Sequence, residues 1–267
     1  MEVTTFASGS SGNCALLSGE HTHVLIDAGI SFLKIRKFLE QRGILPEELA
    51  GVLITHEHQD HVKGLKTLLK RTRVPLFAPP VVADRLEESL PESQGRICSI
   101  PVSEPFSVGE LQVTAFATPH DTPQSVGYRV EDGESAFSLC TDLGYVTDEV
   151  LDHLLDCDAA VIEANHDVQM LRECPYPYAL KRRILSDHGH LSNDACGALA
   201  VTLADHGTRQ LILGHISREN NTPDKALETV SRALRQAGFG GVALAAAPME
   251  GCLTVSVKGG SPCSQSN

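Results

Sequence analysis

The chain has 267 residues, of which 42% are hydrophobic, and a formal net charge of −12 at pH 7. This length can bury a substantial core, and we expect a single domain over residues 1–258 followed by a disordered tail over 259–267. The acidic balance argues against a broad nucleic-acid-binding face, because affinity for phosphate rests largely on Lys and Arg. Local basic clusters remain within 63–73 and 181–183, although such clusters are also typical of solvated helix faces.

The sequence indicates neither a membrane span nor a disulfide framework. Its longest apolar runs are far shorter than the roughly 18 residues of a spanning helix. The N-terminus carries neither a basic region nor an apolar signal core. The eight cysteines are scattered with no Cys-x-x-Cys pair, which favours reduced thiols in a cytosol. We therefore expect a cytoplasmic protein with no membrane partner, and the sequence indicates no protein partner.

The chain begins with a predicted strand, loop and strand. Residues 3–6 and 14–17 have the apolar pattern of strands, and the Gly/Ser-rich residues 7–13 join them. This loop offers backbone donors and hydroxyls to an anion, with Ser11 and Asn13 as candidate contacts to a substrate phosphate. It lacks the Lys of a nucleotide P-loop and also fits an ordinary hairpin.

A further strand is predicted over residues 23–26, and it ends at Asp27. A carboxylate at the end of a strand is well placed to hold a metal-bound histidine. An Asp at this position is equally typical of a turn or of a helix N-terminus, and a helical pattern follows over residues 33–43. Both interpretations of Asp27 stay open at this stage.

A cluster of metal-binding side chains follows the apolar run over residues 50–55, which has the pattern of a buried strand. Imidazole and carboxylate ligands together suit zinc, manganese or iron. The cluster contains no cysteine, which argues against a closed structural zinc site. We therefore interpret it as a catalytic metal centre, with the candidate ligands His56, His58, Asp60 and His61.

The rest of the chain alternates between helical and strand patterns. This alternation predicts an α/β fold in which helices cover a mixed sheet. Helices are predicted over 62–71, 81–90, 146–155, 178–185, 193–205 and 223–237, and strands over 75–78, 97–100, 111–116, 125–130, 136–139, 159–162, 210–213, 242–245 and 253–257.

Further polar side chains stand just after predicted strands, as the central cluster does. His120, Asp142 and His215 each follow a separate strand. A lone His or Asp in such a place is often structural. A site for two metals, however, needs more than four ligands and must draw them from separate loops, so the shared placement favours a two-metal centre.

The spacing His-x-His-x-Asp-His after a strand, with an Asp before it and a His, an Asp and a His after it, resembles the metallo-β-lactamase fold superfamily. The resemblance implies a four-layer αββα sandwich of two mixed sheets flanked by helices. It also implies two divalent cations, one held by His56, His58 and His120, the other by Asp60, His61 and His215, with Asp142 between them.

Narrower features resemble the YycJ/WalJ branch of that superfamily. They are the loop over 7–13 and the segments 163–167, 189–193 and 214–221. Members of that branch are cytoplasmic bacterial metal-dependent nucleases that act from the 5′ end of DNA. The resemblance therefore implies DNA as the substrate.

Our working hypothesis is a dinuclear metal-dependent hydrolase, most simply a phosphodiesterase that degrades DNA as a 5′ to 3′ exonuclease through a metal-bridging hydroxide. The alternatives are a thioester hydrolase of the glyoxalase II type and a non-catalytic, metal-stabilised regulatory module. His166 and His190 are candidates to assist the departing oxygen or to hold phosphate, or else they only orient ligands or cap helices. The candidate catalytic residues are Asp60, His166 and His190, and the candidate substrate contacts are Ser11, Asn13, Asn165, His166 and His190.

Overall fold

Two mixed β-sheets of seven strands each lie face to face in the computed structural model, which describes residues 1–258. In chain order the strands are β1 (Glu2–Ala7), β2 (Cys14–Ser18), β3 (His23–Ile26), β4 (Leu49–Leu53), β5 (Leu76–Ala78), β6 (Ile97–Ser99), β7 (Pro105–Val108), β8 (Leu111–Ala117), β9 (Val126–Glu131), β10 (Ala136–Cys140), β11 (Ala159–Glu163), β12 (Gln210–Gly214), β13 (Ala243–Ala246) and β14 (Leu253–Ser256).

The two sheets have related topologies. The first has the order β14-β1-β2-β3-β4-β5-β6, and the second β13-β12-β11-β10-β9-β8-β7. Strands β3 to β6 run parallel in the first sheet, and β10 to β13 run parallel in the second. Parallel strands carry their carboxyl ends to one edge of a sheet, which is where α/β folds place their ligands.

Helices flank the two sheets. They are α1 (Phe32–Glu40), α2 (Gln59–Val62), α3 (Leu65–Arg71), α4 (Pro80–Ser89), α5 (Asp148–Leu154), α6 (Val168–Glu173), α7 (Tyr178–Ile184), α8 (Asn193–Asp205) and α9 (Pro223–Gln236). Short 3₁₀ turns precede β4 and β6, at Pro46–Glu48 and Pro91–Ser93.

The buried apolar side chains form three clusters that separate four layers. The central cluster joins the two sheets and includes Val24 from β3 and Tyr128 from β9. One outer cluster packs α1 to α4 on the first sheet, and the other packs α5, α8 and α9 on the second. Side chains that alternate along a strand face opposite layers, so each sheet is buried on both sides. The predicted αββα sandwich is therefore confirmed.

Three elements differ from the sequence-based prediction. Strand β7 and helix α6 were not predicted, and the helix predicted over 62–71 is broken between α2 and α3. The break lies at Gly64, where an added Cβ would overlap the carbonyl oxygens of Ile30 and Ala28. Close approach of two backbones, which has no local sequence pattern, therefore interrupts the helical periodicity.

The remaining expectations concern membranes and domain limits. Within residues 1–258, the structure contains no helix that is long and apolar enough to cross a membrane. A single domain over that range stays a prediction, and the predicted tail over 259–267 lies outside the described residues.

Backbone hydrogen bonds join three loops, which lie before β2, after β3 and after β4. Asn13 N–H donates to the carbonyl of Asp60 at 2.7 Å, Ala28 N–H to that of His61 at 2.8 Å, and Gly29 N–H to that of Asn13 at 2.7 Å. A Cβ on Gly29 would overlap the carbonyl group of Asp60 and approach the Asn13 nitrogen to 2.6 Å. Only glycine lets these three loops meet at this distance.

We expect Gly29→Ala to destabilise the fold by roughly 1–3 kcal/mol and to displace the loop that carries Asp60, because the added methyl group has no space to occupy. Gly241→Ala is the matched control, since its Cβ would meet nothing within 4 Å. Its free energy of unfolding should stay within about 0.5 kcal/mol of the unmodified protein. Urea denaturation of both variants measures the difference, and equal midpoints would refute the close contact.

Candidate metal centre

The polar residues that follow the strands meet at one edge of the sandwich. Asp27 comes directly after β3, and the cluster from His56 to His61 follows β4 by two residues. In the second sheet, His120 follows β8, Asp142 follows β10 and His215 directly follows β12. The two sheets thus contribute side chains to one site from opposite sides.

Three of these residues adopt a backbone conformation that is rare for side chains other than glycine. The φ angles are 60° at Asp27, 58° at Asp142 and 51° at His215. Buried hydrogen bonds hold two of them, since Thr55 N–H donates to Asp27 Oδ1 at 2.9 Å and Ser8 Oγ accepts from His215 N–H at 2.8 Å. Left-handed residues of this kind cluster at functional sites, where the surrounding structure imposes them.

The side chains that the sequence predicts as metal ligands lie in overlapping groups. In each group, one possible ligand atom per residue lies within 4.8 Å of the others. Asp142 links several groups, because its Oδ2 lies 3.4 Å from His61 Nε2 and its Oδ1 lies 3.9 Å from His120 Nε2. The groups are His56, His58 and His120; Asp60, His61 and His215; His56, His61 and Asp142; and Asp142, Glu163, His190 and His215.

Several possible metal-ligand atoms in these groups are buried without a hydrogen-bond partner. They are Nε2 of His56, Nδ1 of His120, Oδ2 of Asp142 and Nε2 of His215. Buried polar atoms in native proteins are almost always paired, because an unpaired one loses its hydration without compensation. A cation supplies the missing partner for imidazole nitrogen and carboxylate oxygen alike, so this donor set fits divalent metal ions.

Asp27 fixes the orientation of the His61 ring. Its Oδ2 accepts hydrogen bonds from His61 Nδ1 at 2.7 Å and from Thr55 Oγ1 at 2.9 Å, and all three side chains are buried. With Nδ1 occupied in this way, His61 presents Nε2 to Asp60 and Asp142, at 3.5 and 3.4 Å. Of the two interpretations left open for Asp27, this geometry favours the partner of a candidate metal-binding histidine.

Glu163, the last residue of β11, has the equivalent position in the second sheet and was missed as a site residue. Its Oε1 accepts from Nδ1 of His215 at 2.6 Å and from Nδ1 of His190 at 2.9 Å. Its Oε2 accepts from the backbone N–H groups of Leu191 and Leu143, at 2.9 and 3.2 Å. The available signal was a Glu that closes an otherwise apolar strand, at the same edge as the other ligands.

The surroundings of the candidate ligands shift the pKa values of their histidines in opposite directions. Burial lowers the pKa of His61, but Asp27 and Asp142 outweigh it and raise that pKa to about 10. Burial likewise lowers the pKa of His215, and Asp142, Asp60 and Glu163 together raise it well above its ordinary value. By contrast, burial next to other histidines lowers the pKa of His56 well below its ordinary value. Carboxylates therefore dominate one half of the site and imidazoles the other.

The histidines outside the ligand prediction have different surroundings. His190 is partly exposed, and the centroid of its ring lies 5.3 Å from that of His120 and 5.1 Å from that of His215. His166 is 1% exposed, both of its ring nitrogens lack a hydrogen-bond partner, and it belongs to none of the ligand groups found among residues 1–258. The structure thus places the ring of His190 next to two candidate ligands, whereas His166 belongs to no ligand group.

The residues predicted to contact substrate lie in different surroundings. Asn13 Nδ2 lies 2.9 Å from His61 Nε2 and 3.4 Å from Asp60 Oδ2, inside the cluster. Asn165 is buried, and its Nδ2 donates to the carbonyl of His215 at 2.9 Å, so it supports that loop. Ser11 is exposed, and its Oγ accepts a hydrogen bond from Arg218 at 3.0 Å.

Comparison with known proteins gives consistent relatives. The sequence model of the beta-lactamase superfamily domain matches residues 22–216. The exodeoxyribonuclease YycJ of Bacillus anthracis is 35% identical over 244 residues, which are 90% of this chain and 91% of that protein. The exodeoxyribonuclease WalJ of Streptococcus pneumoniae is 38% identical over 245 residues, which are 90% of each chain.

Solved structures share the fold at lower identity. The metallo-beta-lactamase fold protein YhfI of Bacillus subtilis superimposes with a TM-score of 0.71 at 17% identity, over 94% of this chain and 98% of that one. The short form of human tRNase Z gives a TM-score of 0.64 at 19% identity, over 96% of this chain and 99% of that one. Together with the domain match and the two bacterial relatives, these comparisons establish that the chain belongs to the beta-lactamase superfamily, in the branch that contains YycJ and WalJ.

Proposed function

We propose that this chain is a metal-dependent phosphodiesterase that degrades DNA as an exonuclease from the 5′ end. The observation that carries the proposal is the set of buried, unpartnered imidazole and carboxylate atoms that face one another at the shared edge of both sheets. The two exodeoxyribonucleases that align with 90% of the chain support DNA as the substrate.

The proposal assigns two divalent cations to the overlapping groups. His56, His58 and His120 would hold one cation, and Asp60, His61 and His215 the other. Asp142 belongs to groups on both sides and would contact both cations. Zinc, manganese and iron all suit these ligands, since imidazole and carboxylate accept several metals and cellular supply often decides.

When bound, such a pair of cations supplies Lewis-acid polarisation of a phosphoryl oxygen and lowers the pKa of a water molecule. The protein supplies orientation. Asp27 and Thr55 fix the ring of His61, and Glu163 fixes the rings of His215 and His190. His190 is the partly exposed member of the Glu163 pair, so it is placed to give a proton to the departing oxygen.

Removal of the metals with a chelator should abolish hydrolysis of 5′-phosphorylated DNA and of bis-p-nitrophenyl phosphate, because attack and departure both depend on the cations. Added zinc or manganese should restore both activities. A glutathione thioester, assayed in parallel, separates this enzyme from a thioester hydrolase. Strong thioester cleavage without diester cleavage would reverse the assignment, and no hydrolysis with both metals bound would favour a regulatory module.

Asp142→Ala should abolish turnover and lower the metal content measured by mass spectrometry, since it removes the carboxylate common to both groups. His190→Ala should lower kcat by roughly 10²- to 10⁴-fold, as expected for loss of a general acid, while both metals stay bound. His21→Ala, at an exposed histidine, is the control and should match the unmodified protein. If His190→Ala loses metal as Asp142→Ala does, His190 is itself a ligand.

Glu163→Gln should weaken metal binding by about 10- to 100-fold without unfolding the protein, because the amide cannot accept from two imidazoles and two backbone N–H groups at once. Competition with a fluorescent chelator measures the affinity. Glu104→Gln, at an exposed glutamate, controls for loss of one negative charge. Equal affinities of the two variants would show that Glu163 does not orient the ligands.

A further inference from the structure

One segment beside the metal centre is unusually exposed. Helix α7 (Tyr178–Ile184) contains no buried residue. Tyr178, at its start, is 77% exposed, and Leu185, directly after it, is 50% exposed. We call residues 176–185 the arm. A helix without a buried side gains little from packing on the core. Packing therefore does not account for the side chains that this helix exposes.

The arm combines aromatic rings with cations. Lys181, Arg182 and Arg183 are consecutive in a chain whose net charge is −12. The guanidinium carbon of Arg182 lies 6.0 Å from the centroid of the Tyr178 ring. The chain has four tyrosines and no tryptophan, and two of those tyrosines, Tyr176 and Tyr178, belong to the arm. Aromatic faces among positive charges are the pattern that binds nucleic-acid strands, because bases stack and phosphates pair.

The arm is fixed relative to the candidate metal centre. The Arg183 guanidinium pairs with the Asp121 carboxylate, and Oδ1 of Asp121 lies 3.3 Å from Nε2 of His120. At the next residue, the carbonyl of Ile184 accepts a hydrogen bond from His190 N–H at 3.0 Å. One carboxylate and one backbone hydrogen bond therefore connect the arm to two histidines of the site.

A cleft of about 270 Å³ lies between the arm and the metal centre. Tyr176 and Arg183 line it from the arm, and Asp121 and His190 line it from the site. The cleft therefore offers a path from the arm to the metal centre, and Tyr178 and Arg182 lie on the arm outside it.

We propose that the arm binds the terminal nucleotides of the DNA strand that is hydrolysed, with a base stacked on Tyr178 and a phosphate paired with Arg182. This inference rests on the proposed nuclease function. Stacking on tyrosine is tolerant of sequence, because every base offers a π face. The arm therefore sets affinity for the strand end without selecting a base.

The test compares Tyr178→Ala with Tyr178→Phe, which keeps the ring. On 5′-phosphorylated DNA, Tyr178→Ala should raise KM about tenfold, from the loss of one base–aromatic stack, whereas Tyr178→Phe should match the unmodified protein. Hydrolysis of bis-p-nitrophenyl phosphate should be equal in all three, because this small diester does not extend to the arm. An unchanged KM for Tyr178→Ala, or an equal loss in Tyr178→Phe, overturns stacking on the ring.

A second substrate isolates the base itself. When the terminal nucleotides carry abasic sugars, Tyr178→Ala and the unmodified protein should have the same KM, since no base remains to stack. A tenfold difference that persists on abasic DNA overturns the proposal.

The contact between Arg182 and phosphate is tested by the salt dependence of KM. Arg182→Ala should lower the slope of log KM against log salt concentration by about 1, as expected for one lost phosphate contact. Arg232→Ala, on helix α9, is the matched control and should leave the slope unchanged. An unaltered slope in Arg182→Ala overturns the phosphate contact.

The outcomes distinguish the arm from the proposed function. If the unmodified, metal-loaded protein cleaves a thioester and no DNA, the nuclease assignment fails. If it cleaves DNA and neither Tyr178 nor Arg182 affects KM, the nuclease assignment stands and the arm has no role in holding the strand.

Discussion

The structure depends on one constraint, the burial of imidazole and carboxylate groups that cannot satisfy each other with hydrogen bonds alone. Nε2 of His56 and Oδ2 of Asp142 are enclosed without a partner at the edge where both sheets end. In a low-dielectric interior such groups are costly unless a charge or a donor compensates them. A divalent cation held by these residues would remove this cost, and its binding would also stabilise this edge of the fold.

In each sheet, a carboxylate at the end of a strand orients a histidine of the site. In the first sheet, Asp27 follows a strand and holds Nδ1 of His61 at 2.7 Å. In the second, Glu163 ends a strand and holds Nδ1 of His215 at 2.6 Å. Each carboxylate fixes the ring orientation and leaves Nε2 for the centre of the site. Precision therefore comes from strand ends, which rigid sheets hold in place, rather than from the loops alone.

The backbone at this edge is specialised to allow such close approach. Asp27, Asp142 and His215 turn the chain in the left-handed region as they leave their strands. Gly29 lets the loop after β3 contact the carbonyl of Asp60, where any side chain would overlap. These features bring residues from distant parts of the chain together, and Gly29 leaves no space there for a larger residue.

The sequence by itself determined the alternation of strands and helices and supplied the ligand candidates, because periodicity and His/Asp spacing are local signals. The four-layer arrangement was implied only by the resemblance to the superfamily. It could not show that Glu163 supports two histidines, that His166 belongs to none of the ligand groups, or that Gly64 breaks a predicted helix. Those outcomes depend on which strand ends become neighbours across two sheets. Contacts between residues such as Glu163 and His215, 52 positions apart, are decided only when the sheets pack, because packing and not local propensity sets which groups share a buried space.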